Sequence, residues 1–115
     1  MKETYIFPNW LGAGNNTFQP IEVNGLNKLV DFDKLGLSKD KVHGIIRAFC
    51  DYEERKRPKH LTNKTLLDIV VEMFNYEINH DSFFIYSFEC EQLMIRVLDH
   101  YKINHNIMFN YHWIA

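Results

Sequence analysis

Thr62-Asn63-Lys64-Thr65-Leu66-Leu67-Asp68-Ile69-Val70-Val71-Glu72-Met73-Phe74-Asn75-Tyr76-Glu77-Ile78-Asn79 is the most regular run in the chain. Leu66, Leu67, Val70, Val71, Phe74 and Ile78 recur with the helical period, while Asp68, Glu72 and Asn75 or Asn79 fall on the opposite side. The pattern predicts a helix near 62–78 with one apolar and one acidic face.

Toward the N-terminus, Pro58 disfavours helical angles in the residue before it and separates this helix from an earlier one. In the earlier segment Val42, Ile45, Ile46, Phe49 and Cys50 follow the spacing of an amphipathic helix, and Ser38 is placed to cap its first turn. A helix over 39–56 follows. Leu26, Leu29 and Val30 have one-turn spacing, with Gly36 as a C-terminal stop, which predicts a shorter helix. From Asn9 to Gly25 turn formers dominate, so a loop is expected, pinned to the core by Trp10 and Phe18. Before it, Thr4-Tyr5-Ile6-Phe7 reads as a short strand ended by Pro8, which has no ladder donor.

Toward the C-terminus, Ser82-Phe83-Phe84-Ile85-Tyr86 is too short and too uniformly apolar to assign by period, and a helix onset or buried turn is expected over a strand. Ser87 then caps a helix near 87–103 whose stripe is Cys90, Leu93, Met94, Val97, Leu98 and Tyr101. Ile107, Phe109, Tyr111 and Trp113 alternate with polar residues as in a strand near 107–114. Pairing of the two terminal strands with each other would satisfy their backbones. The expected fold is mainly α within the α+β class: three or four helices and a small sheet formed by the terminal strands, in one domain spanning 1–115.

At 115 residues, 46% hydrophobic and 24% charged, the chain can bury a core without metals or crosslinks. Cys50 and Cys90 fall within apolar stripes and are expected as reduced, buried thiols. No apolar run approaches the ~18 residues needed to span a bilayer. The opening residues lack a hydrophobic stretch of signal-peptide length, so a cytoplasmic location is expected.

Motifs for chemistry are scarce. None of the six histidines stands in a ligand spacing such as His-Glu-x-x-His, so no metal is expected. There is no Gly-x-Ser-x-Gly elbow, and Gly12-Ala13-Gly14 lacks the remaining residues of either phosphate-loop fingerprint. No catalytic residue and no cofactor are expected. Arg55-Lys56-Arg57-Pro58-Lys59-His60 is the densest basic run, but nucleic-acid binding fits poorly with a sequence pI near 6.3.

Charge is nevertheless segregated. Residues 37–65 carry eight Lys/Arg against four acids, whereas 66–99 carry seven acids against Arg96 alone. Asp68 and Glu72 lie one turn apart with no cation on their helix after Lys64, Asn75, Tyr76 and Asn79 continue around that side, and Glu77 is nearby. Asp68, Glu72, Tyr76, Glu77 and Asn79 are the candidate binding residues; a solvated face answered by Arg96 or the basic run is the plainer reading.

Small size, the acidic helix bearing Asp68, Glu72 and Glu77, and the lack of catalytic motifs resemble, in type, the bacterial immunity proteins of contact-dependent growth inhibition. The resemblance implies an inhibitor that covers the active site or substrate surface of a cognate toxin, without membrane or cofactor. A nuclease toxin must offer cations to phosphates, and an acidic helix would fit such a cleft. Two alternatives remain: a nucleic-acid-binding regulator using residues 55–60, and a small enzyme or metal protein.

Overall fold

The computed structural model describes residues 2–8, 18–80 and 88–103. In chain order these form β1 (Lys2–Pro8), β2 (Phe18–Asn24), α1 (Phe32–Leu35), α2 (Lys39–Tyr52), α3 (Asn63–His80) and α4 (Phe88–His100). The fold is mainly α, with four helices and a two-stranded antiparallel sheet among the described residues.

β1 has a partner that the pattern of turn formers hides. Part of the segment read as a loop is β2, which pairs antiparallel with β1 in the register Thr4↔Glu22 and Ile6↔Pro20. Pro20 lacks an amide donor, which the pair tolerates because among the described residues each strand is an edge. Alternation carries the pairing: Tyr5, Phe7 and Val23 are buried, whereas Thr4, Ile6 and Glu22 are exposed. The expected strand near 107–114, residues 82–86 and the anchoring residue Trp10 lie outside the described residues, as does the side chain of Phe18.

The helix expected from Leu26, Leu29 and Val30 is replaced by a turn and an extended crossing. Lys28 N donates to Gly25 O at 3.0 Å, Leu29 bridges Thr62, and helix begins only at Phe32. The start of α3 explains this outcome. The first backbone N–H groups of any helix have no partner within it. Here Asn63 N donates to Lys28 O at 2.9 Å, Lys64 N to Leu26 O at 3.0 Å, and Thr65 N to the Thr62 hydroxyl at 3.2 Å. Leu26 and Lys28 therefore offer their carbonyls to α3 rather than to a helix of their own.

Helix ends follow local chemistry. Asp31 caps α1 through its carboxylate, and Gly36 ends it at φ 69°. Ser38 occupies the N-cap of α2, as expected, but makes no side-chain capping bond. That helix stops at Tyr52, earlier than Pro58 requires. Arg55 N donates to Cys50 O and Glu54 N to Asp51 O, with Glu54 at φ 55°, the pattern of a left-handed helix stop. The end of α4 repeats it: Ile103 N donates to Leu98 O, Lys102 sits at φ 60°, and the apolar Ile103 is buried.

The core gathers Leu66, Leu67, Ile69, Val70 and Met73 of α3 with Val42, Ile46 and Phe49 of α2, Leu93, Met94, Val97 and Leu98 of α4, and Phe7 of β1. Ile69 and Met73 widen the apolar stripe of α3 beyond the residues its period singles out. Ile45 is only half-buried, and the side chain of Phe74 lies outside the described set. Cys50 and Cys90 are buried, and neither is in a disulfide. No helix among the described residues is long and apolar enough to cross a membrane.

Candidate functional site: the acidic face of helix α3

With α3 buried over most of its described circumference, Lys64, Asp68 and Glu72 are left as a polar strip at successive i, i+4 positions. The Asp68 and Glu72 side chains are 43% and 48% exposed. Tyr76, Glu77 and Asn79 continue along the same helix, but their side chains lie outside the described residues.

No Lys or Arg follows Lys64 on α3, but a cation from another element answers the face, as the plainer reading expects. Glu72 pairs through Oε2 with Arg55, which the left-handed stop after α2 turns back toward α3. The basic run, not Arg96, supplies the counter-charge. Asp68 receives two partners at Oδ1: a hydrogen bond from the Tyr5 hydroxyl and the Lys64 ammonium at 3.6 Å. Lys64 Nζ also lies 4.8 Å from the centre of the Tyr5 ring, a cation–π distance. Burial and the neighbouring Asp68 carboxylate together push the Tyr5 phenol well above its ordinary range, so it stays a donor.

Tyr5 and Arg55 thus belong to the site, and neither was visible as such from the helix alone. Tyr5 is 63 residues from Asp68 in the chain, and only the alternation of Tyr5 with Phe7 hinted that it faces inward. In both carboxylates one oxygen is engaged within the chain. Oδ2 of Asp68 and Oε1 of Glu72 have no hydrogen-bond partner among the described residues.

The same pairing reduces the basic run as a nucleic-acid surface. Arg55 is committed to Glu72, and Arg57 grips Asp51 with two parallel bonds, Nε to Oδ1 at 2.7 Å and NH2 to Oδ2. The Arg57 bonds hold the Asp51 carboxyl below its usual range. Among the described residues no group of three or more His, Cys, Asp or Glu could hold a metal ion. His43 is half-buried beside Phe32, their ring centroids 5.7 Å apart, and His100 is exposed and packs edge-on against Tyr101.

No protein-family model matches the chain, and no curated protein or solved structure is significantly similar to it.

Proposed function

We propose that this chain is a toxin-neutralising immunity protein that docks the α3 face onto a basic surface of its cognate toxin, most simply a nuclease. The single observation behind the reading is the state of the two carboxylates. Each has one oxygen tied inside the chain, and the other has no hydrogen-bond partner among the described residues. Carboxylates held in place lose less side-chain freedom on docking than free ones, which lowers the cost of association. Exposed pairs such as Arg55–Glu72 and Lys64–Asp68 are worth only ~0–1 kcal/mol, so an incoming guanidinium can add to them or exchange with them. Complementary charge also speeds encounter, which suits an inhibitor that must outrun a toxin.

The pairing dictates how the reading is tested. Charge reversal at Asp68 would strand the Tyr5 hydroxyl and set two ammonium groups together, damaging the fold as well as the face. Asp68→Asn and Glu72→Gln keep an acceptor oxygen and remove only the charge. Reading frames adjacent to this gene are expressed in a bacterial host, and any toxic product is challenged with this chain. Protection by the wild type, lost or weakened at least ~10-fold in affinity by the double amide variant with unchanged circular dichroism, is the expected result. Equal protection by both proteins removes the α3 face from the mechanism, and absence of any protection removes the immunity reading itself.

A further inference from the structure

On another side of α2 lies a groove whose chemistry is the reverse of the α3 face. Lys39, His43, Ile46 and Arg47 share one stripe of α2 at helical spacing. Facing them runs the segment 57–61, which bends at Lys59 and His60. Two cavities that share His43 fill the space between. One, of about 410 Å³, is lined by Leu29, Phe32, Lys39 and Lys59 among others. The second, of about 350 Å³, is lined by Ile46, Arg47, Arg57 and Pro58. Among the described residues, no carboxylate lines either cavity. Lys39, Arg47 and Lys59 make no ion pair among the described residues, and Arg57 is satisfied by Asp51. Leu29 stands 66% exposed at the rim, the most exposed large apolar side chain described.

We propose that this groove is a second docking site, independent of the α3 reading, for an acidic segment of a partner protein carrying an apolar anchor. Three unpaired cations along the walls attract carboxylates, and the Leu29, Phe32 and Ile46 surface accepts an aliphatic or aromatic side chain. The cavity volumes are of the size that takes side chains rather than a whole domain. Lys39 to Arg47 spans about 12 Å along α2, enough for about two turns of a helical segment. A peptide that is acidic on one side and apolar on the other satisfies both features. Polynucleotide satisfies the first, and of the second it could use only the rings of Phe32, His43 and His60, since bases stack on ring faces and not on the aliphatic Leu29, Val30, Ile46 and Leu61.

The full chain is used to select binders from a random-peptide display library, and the recovered consensus peptide is synthesised with a fluorescent label. Acidic sequences with at least one large apolar residue are the expected winners. Their affinity should fall at least ~10-fold in Arg47→Glu/Lys59→Glu, and fall separately in Leu29→Ser, while Asp68→Asn/Glu72→Gln leaves it unchanged. Both groove variants alter exposed side chains, and unchanged thermal unfolding verifies their folds. Failure to enrich acidic peptides, or binding that survives the Arg47/Lys59 reversal, overturns the proposal. So does a labelled oligothymidylate that binds more tightly than the peptide through these same cations, which would make the groove a nucleic-acid site. Light scattering showing that the groove variants abolish a dimer would instead assign it to a second copy of the chain and also overturns the proposal.

Discussion

The phenol of Tyr5 donates its hydrogen bond to Oδ1 of Asp68, so the N-terminal strand is tied to the one acidic strip of α3 whose side chains are described. A bond of this kind to a charged acceptor contributes more than a neutral one, because the carboxylate is partly withdrawn from water.

Tyr5→Phe should therefore cost about 1–2 kcal/mol in urea unfolding near neutral pH. The variant also isolates a pH effect. An unfolded tyrosine releases its proton near pH ~10, whereas folded Tyr5 keeps it to higher pH. Its contribution is fully present below pH ~10 and is lost above it, at up to ~1.4 kcal/mol per pH unit, because the unfolded state then binds fewer protons than the folded one. Wild type should lose stability faster than Tyr5→Phe as pH rises from 10, and the gap between them should close. Parallel decline would show that the phenol titrates alike in both states.

The Arg55–Glu72 pair is exposed enough for water to screen it. A double-mutant cycle with Arg55→Ala and Glu72→Ala should return a coupling of ~0–1 kcal/mol, reduced by salt. A coupling well above that range would mean the pair holds the chain reversal after α2 rather than merely decorating it.

Two glycines should respond to alanine with opposite signs. Gly36 sits at φ 69°, and a methyl group there would approach NH1 of Arg96 to 3.0 Å. Gly36→Ala should destabilise by about 1 kcal/mol or more. Gly44 lies inside α2 with nothing within 4 Å of an added methyl, so Gly44→Ala should stabilise by roughly 0.5–1 kcal/mol through the unfolded state. Thermal melts of the two variants, read against wild type, check both signs.

The thiols should be inert until the protein opens. Cys50 and Cys90 are buried, and burial pushes the Cys50 thiol up, away from its reactive thiolate. A disulfide-exchange reagent should label neither in native buffer on the timescale on which it labels both in denaturant. Rapid native labelling of Cys50 would place it in a locally opening region.

The helices α2, α3 and α4 were legible from periodicity, since an apolar stripe must be buried whichever neighbour covers it. Their ends were less so. Pro58 correctly separates two helices, yet α2 ends at Tyr52 because Glu54 adopts a left-handed angle that no proline or glycine announces. The strand β2 was obscured by Pro20 and the turn formers around it, although Ile21-Glu22-Val23 already alternates. At the candidate site Asp68 and Glu72 are legible from their spacing and the basic run from its charge, but which cation of that run meets Glu72, and that Tyr5 meets Asp68, is not, because Arg55 and Tyr5 lie on other elements.

The amino-acid sequence by itself determined where three helices form and which of their faces is apolar, because side-chain periodicity and burial are local consequences of the helical repeat. Tertiary structure alone decided the rest. Leu26 and Lys28 give up helix to satisfy the first amides of α3, β1 takes β2 as its partner, and the acids of α3 acquire Tyr5 and Arg55. Each of these is a pairing of groups brought together by the fold, and an unsatisfied donor or charge carries no mark in the sequence of which distant partner will meet it.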